Sequence, residues 1–278
     1  MKTRNLRYRI EWRDTWEKMR AERRRKPRIS YDPDFSKKIA ESFYKIISSN
    51  SYEFGTKAAD RMAGILSDDF EVLEIGAGPG TLTIPLAGRV RSMESVEFSP
   101  RAALQLERNL EQAGLKNVRI INRDWTSMDD SELGDKYDLV VCSHFLWQMK
   151  DLEELLRRME NASRAYCSVI QPCGRDDIVK KIFEKVSGEE YTGQFEPDAD
   201  YFVYLILREW GRRVNVSYFD YSFVRDIEEQ TRYCAAFIGR FLEIDSHTMQ
   251  QIRDLLLKET GTGSYLEKNK AAVLWWQP

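Results

Sequence analysis

The run Val72-Leu73-Glu74-Ile75-Gly76-Ala77-Gly78-Pro79-Gly80-Thr81 decides the fold of this chain. A short apolar strand ends beside a carboxylate, and three glycines follow at every second position. Glycines there let a ligand approach the backbone with no Cβ in the way. Parallel sheets bind ligands at this edge, where the strand order reverses. Dinucleotides prefer G-x-G-x-x-G, with the pyrophosphate on a helix N-terminus. Here the third glycine comes one residue early, and Glu74 stands two residues before the first. Its charge would repel a pyrophosphate. The run suits a ligand carrying hydroxyl and ammonium groups.

Outward from this run, strands and helices alternate strictly. The pattern predicts strands at 71–75, 93–98, 118–122, 137–142 and 165–171. Helices are predicted from near Gly80, over 100–113 with Pro100 in the first turn, and over 151–161. Repeated strand–helix units imply an α/β fold, with a Rossmann-like, mainly parallel sheet of seven strands and helices on both faces. Before the first strand, helical patterns cover 5–25, Asp34 to Ser48 and about 54–66. These make residues 1–66 a helical N-terminal extension or lid on a main domain of 67–278. After Gly174 come helices at 176–186 and 199–210, a strand at 214–221, helices at about 224–240 and 246–258, and a last strand at 271–276. Residues 175–212 read as a helical cap inserted over the sheet.

Further acids follow at the strand ends. Glu97 closes the second strand, 23 residues after Glu74. A carboxylate there can accept from both hydroxyls of a ribose, which alone fits NAD equally well. Asn122-Arg123-Asp124-Trp125 follows the third strand; Asp124 can accept from an adenine amino group, and Trp125 can flank the ring. The fourth strand, beginning Tyr137-Asp138, opens at Ser143-His144 onto the same edge. Glu74, the glycine triplet, Glu97, Asp124 and Asp138 together resemble the ordered signature of class I S-adenosylmethionine-dependent methyltransferases, over residues 55–172. The resemblance implies that Glu74, Gly76, Gly78 and Gly80 hold the methionine end of S-adenosylmethionine. It implies Glu97 at the ribose and Asp124 with Trp125 at the adenine. Ala77, Thr81, Phe98, Ser99 and Ser143 complete the expected cofactor-binding set.

The acceptor is less legible. Family members that methylate adenine or glutamine nitrogen carry an Asn/Asp-Pro-Pro-Tyr/Phe type of motif after the fourth strand. Here the position reads Ser143-His144-Phe145-Leu146. RNA cytosine-C5 enzymes need a Pro-Cys there, whereas Pro172-Cys173 follows the fifth strand. The head and tail of the chain also resemble microbial methyltransferases of the small-molecule type, through Trp12, Trp16, Tyr31, Asp34-Phe35 and Leu274-Trp275-Trp276. His144 could remove a proton from the acceptor, with an ordinary pKa near ~6.5; packing against the adenosyl group is the alternative role. Trp12, Trp16, Tyr31, Phe145, Trp147 and Tyr201 are the candidate acceptor-pocket residues, though aromatics so spaced equally suit a core. No His, Cys and carboxylate set has metal-ligand spacing, so no metal is expected.

The whole chain carries a net charge of −2, which implies no global attraction to nucleic acid or anionic membrane. Residues 1–30 are different: 12 Lys/Arg against four acids make the segment +8, and the remainder −10. Such a segment can dock on an acidic body, form a solvated face, hold RNA phosphates or lie on a membrane surface. Four scattered cysteines without C-x-x-C suggest free thiols. With no apolar run of spanning length and no signal core, a cytoplasmic protein without membrane partners is expected. The first expectation is thus a methyltransferase acting on a small-molecule acceptor. An rRNA or tRNA methyltransferase and a non-catalytic methyltransferase-like binding module are the alternatives. The oligomeric state has no signature in the sequence.

Overall fold

A computed structural model describes residues 12–25, 50–174, 177–191, 199–239, 241–261 and 263–278. Tyr31 and the helix expected over Asp34 to Ser48 lie outside the described residues. Helix α1 (Trp12–Arg25) and helix α2 (Glu53–Arg61) precede the sheet. The alternating part then runs β1 (Glu71–Ile75), α3 (Thr83–Ala87), β2 (Ser92–Val96), α4 (Pro100–Gln112), β3 (Val118–Ile121), α5 (Asp130–Leu133), β4 (Tyr137–Ser143), α6 (Leu152–Ala162) and β5 (Ser163–Gly174). The remainder is α7 (Ile178–Ser187), α8 (Ala199–Glu209), β6 (Asn215–Asp226), α9 (Ile227–Ile238), α10 (Ser246–Thr260) and β7 (Ser264–Trp276).

The seven strands form one sheet in the order β3-β2-β1-β4-β5-β7-β6. Strands β1 to β5 pair in parallel, and β7 runs antiparallel between β5 and β6. The order reverses between β1 and β4, which opens a crevice at their carboxyl ends. Local chemistry sets the helix starts. Ser99 caps α4 by accepting from Ala102 N, ahead of Pro100. Asp151 caps α6 by accepting from Glu154 N at 3.0 Å.

Both sheet faces are covered. One carries α1, α6 and α8, with Trp16, Leu155, Met159, Phe202, Ile206 and Trp276 in its core. The other carries α2 and α3, with Phe54, Ala58, Met62, Leu86, Phe219 and Tyr221. Among the described parts of residues 1–66, α1 packs on one face of the sheet and α2 on the other. The segment expected as a single cap over 175–212 divides in the same way. Helix α8 packs on β5 and β7 within the main core, whereas α7 joins α9 and α10 in a separate cluster.

Two elements differ from the sequence pattern for clear reasons. Helix α3 starts only at Thr83, because Gly76, Gly78 and Gly80 hold φ of 74°, 56° and 96° and keep the chain in left-handed turns. The antiparallel β6–β7 pair is longer than its apolar pattern, with β6 reaching Asp226 and β7 starting at Ser264. Three of its added buried positions, Arg225, Glu267 and Asn269, are polar. Arg225 and Glu267 form a buried ion pair, and Asn269 donates to Glu267 at 3.0 Å. Hydrophobic alternation cannot reveal a strand whose buried residues are charged.

Candidate active site

A cleft of about 650 Å³ opens at the carboxyl ends of β1, β2 and β4. The glycine loop forms one wall. Gly76 N and Ala77 N donate to Val96 O at 2.8 and 3.1 Å, which ties the loop to β2. A Cβ on Gly76 would lie 2.3 Å from the Phe145 ring, so the loop can approach the turn after β4 only with glycine there. A Cβ on Gly78 would meet nothing within 4 Å. Its φ of 56° turns the backbone toward open cleft.

Glu97 straps this loop to the next helix. One carboxylate oxygen accepts from Gly78 N and the other from Ser99 N, each at 2.8 Å. Each oxygen keeps a further lone pair for a ligand hydroxyl. Glu74 lies below the loop and is 1 % exposed. Thr83 Oγ1 and Ser95 Oγ donate to its Oε2 at 2.5 and 3.2 Å. Burial pushes its carboxyl up to about 7; the two hydroxyl donors oppose the shift, and the Glu97 charge adds to it. Ser95 lies directly beside Glu74 in the β1–β2 register, so strand pairing was the signal that could have named this partner.

At the far end Asp124 Oδ1 accepts from Thr126 N and Thr126 Oγ1, both at 2.8 Å, and so caps the turn Trp125–Ser127. Trp125 is buried under the Arg158 guanidinium, 4.7 Å from its ring, and its indole nitrogen has no hydrogen-bond partner among the described residues. Phe98 is 71 % exposed at the mouth. Ala77, Thr81, Ser99 and Ser143 also line the cleft. All the residues expected to hold the cofactor except Gly80 therefore line one cavity; a Cβ on Gly80 would face Leu106 and Ile84 instead. Arg123, Gln148, Met149 and Lys150, which motif spacing does not mark, line it as well.

The opposite wall follows β4. His144 has φ 54°, donates its N–H to Ile170 O at 3.1 Å, and places its ring 4.7 Å from Phe54. Phe145 comes next, against Gly76. The turn Leu146–Gln148 is tied to α1: Trp16 Nε1 donates to Met149 O at 3.1 Å, and Arg20 donates to Trp147 O and Gln148 O at 3.3 and 3.0 Å.

Most aromatics expected in an acceptor pocket lie elsewhere. Trp16 is 1 % exposed and stacks on Trp147 with centroids 4.4 Å apart. Trp12 packs edge-on against Tyr201 and Phe202, and Tyr201 is 55 % exposed on the outer surface. None of Trp12, Trp16, Trp147 and Tyr201 lines the cleft; they brace helices, and Phe145 alone of the described acceptor candidates lines it. Asp138 also lies away from the cleft. It sits at the opposite edge of the sheet, where it accepts from Glu71 N and from Arg164, whose guanidinium holds its carboxyl below the usual range. No cluster of His, Cys and acids suited to a metal occurs among the described residues.

Residues 66–199 match the family model described as a methyltransferase domain. Ribosomal RNA small subunit methyltransferase A of Desulforapulum autotrophicum is 36 % identical over 104 residues, covering 34 % of this chain and 36 % of the relative. Its counterpart in Bifidobacterium adolescentis is 27 % identical over 136 residues, covering 46 % and 44 %. The chain thus spans well under half the length of these relatives. Among solved structures, YcgJ of Bacillus subtilis superposes with a TM-score of 0.51 at 12 % identity, covering 79 % of this chain and 97 % of that one. The cyclase SpnF gives 0.52 at 14 %, covering 82 % and 80 %. These two likenesses concern the fold. Residues 66–199 thus form a methyltransferase domain, and its sheet order and glycine loop resemble those of the class I S-adenosylmethionine-dependent methyltransferases. Its cofactor is S-adenosylmethionine, and no described helix is long and apolar enough to cross a membrane.

Proposed function

We propose that the protein methylates a small-molecule acceptor bound beside His144 and Phe145. When bound, S-adenosylmethionine supplies an electrophilic methyl group on a sulfonium. The glycine loop above Glu74 receives the methionine end. Glu97 takes the ribose hydroxyls on its remaining lone pairs while keeping Gly78 N and Ser99 N. The Trp125 indole and the uncommitted oxygen of Asp124 serve the adenine. His144 would receive the proton that the acceptor gives up on methylation. The walls align the reactants and exclude water, which is the larger part of the work.

One observation carries this reading. His144 turns through a left-handed backbone onto Phe54 and lines the cleft where the nitrogen-methylating motif is absent. The cleft's volume also lies within the range of about 300–1,000 Å³ typical of small-molecule sites. An RNA acceptor is the second reading, favoured by the ribosomal RNA methyltransferases among the relatives and by the +8 segment at residues 1–30.

A single experiment separates the two. The protein is incubated with methyl-labelled S-adenosylmethionine and either a fractionated metabolite extract or ribosomal RNA. The small-molecule reading expects label in the metabolite fraction, and His144→Ala slows that transfer by about 100-fold or more. Label confined to RNA, with steep salt dependence lost on removing residues 1–30, overturns it.

A further inference from the structure

The turn after β4 presents three successive carbonyls, of Trp147, Gln148 and Met149, to one helix at the opposite end of the sequence. Trp16 Nε1 donates to Met149 O, and the Arg20 guanidinium spans Trp147 O and Gln148 O. These pairs are 133, 127 and 128 residues apart. The Trp16 and Trp147 rings stack at 27°, which fixes the turn laterally as well. The same short stretch supplies Phe145, Gln148, Met149 and Lys150 to the cleft wall.

We propose that Trp16 and Arg20 are positioning residues, holding the Leu146–Met149 turn in the form that completes the cleft and so setting its affinity for the cofactor. The proposal deepens the methyltransferase reading and rests on it for the ligand. Within the turn itself only Gln148 N to Phe145 O and Met149 N to Leu146 O hold the backbone, each at 3.0 Å. Without the helix, three carbonyls lose their partners, so the turn relaxes toward water. Ligand binding must then restore the competent form, and apparent affinity falls by the fraction of molecules that hold it. Arginine is suited to the role because its planar fork reaches two carbonyls in one fixed geometry, which a flexible lysine ammonium does not impose.

The test compares wild type with Arg20→Met, Arg20→Lys and Trp16→Phe in the full chain. Hydrogen exchange is read at amides 145–150, and S-adenosylhomocysteine affinity is read by calorimetry well below the melting temperature. Arg20→Met and Trp16→Phe should speed exchange at 145–150 while leaving β1 and β5 unchanged. Affinity should fall by about three- to tenfold, as expected if a third to a tenth of the molecules keep the braced turn. Arg20→Lys should lie between Arg20→Met and wild type. A lowered melting temperature with unchanged exchange at 145–150 and unchanged affinity would make the contacts merely structural and overturn the proposal. If wild type fails to bind S-adenosylhomocysteine, the cofactor reading fails. Exchange alone then decides the brace, faster exchange supporting it and unchanged exchange overturning it.

Discussion

The glycine loop after β1 and the turn after β4 face each other across one cleft, yet they are held in opposite ways. The loop's partners are close in sequence. Glu97 is 19 residues from Gly78, and Glu74 is nine from Thr83 and 21 from Ser95. The turn's partners in α1 lie more than 120 residues away. A wall made from neighbouring residues can be written as a motif. A wall made by tertiary docking has no local signature, and its tolerance to change depends on the packing of other elements.

That contrast can be broken most forcefully at Trp16. Trp16→Ala should cost about 3–5 kcal/mol of stability, since it opens a cavity in the core and removes the donor to Met149 O; urea unfolding measures this. A loss below about 1 kcal/mol, the scale of ordinary surface changes, would mean that α1 is an ornament on the fold.

Glu74 tests the other wall through pH. Its carboxyl is raised from 4.5 to about 7 by burial, whereas the unfolded chain titrates near the ordinary value. Between those values the folded state binds more protons than the unfolded one, so stability falls as pH rises. The fall amounts to roughly 3 kcal/mol by pH 8. Glu74→Gln removes this dependence and should be more stable than wild type at pH 8 but not at pH 4.5. Thermal unfolding that shows the same difference at both pH values would contradict the buried, proton-holding carboxyl.

Glu97→Ala should act on binding more than on folding. Losing a charged acceptor is worth about 1.5–3 kcal/mol, or about 10- to 100-fold in S-adenosylhomocysteine affinity by calorimetry. The smallest effect sharpens the comparison best, because it reads contact between the two walls. Gly76→Ala drives a Cβ against Phe145, 2.3 Å from its ring. Phe145→Leu should relieve that clash but not the backbone strain at positive φ. A double-mutant cycle should therefore give a coupling of about 1 kcal/mol, and zero coupling would mean that the walls do not touch.

What was legible follows the same division. Glu74 to Gly80, Glu97 and the Ser99-Pro100 helix start combine a strand period with fixed offsets, so the sheet and the donor wall could be read directly. Aromatic spacing could not separate a pocket from a core, and Trp12, Trp16 and Trp147 went to the core. Asp138 stands second in its strand, whereas Glu74 stands second from the end of its own; in a parallel sheet that places them at opposite edges. The extension of β6 to Asp226 and the early start of β7 at Ser264 were hidden by Arg225, Glu267 and Asn269, polar residues at buried strand positions. Helices α7 and α8 have similar apolar faces, and nothing local says that only α8 lies on the sheet.

The central claim is that the space above the glycine loop is where S-adenosylmethionine binds. Calorimetry of the wild type and of Gly78→Val tests it most directly. A Cβ there meets no protein atom within 4 Å, so the fold should survive, but the valine fills the cleft and strains a φ of 56°. The account predicts one-site binding by wild type and a loss of about 100-fold or more in the variant, equivalent to about 2.7 kcal/mol. Absence of binding by wild type, or equal binding by a folded Gly78→Val, would contradict it.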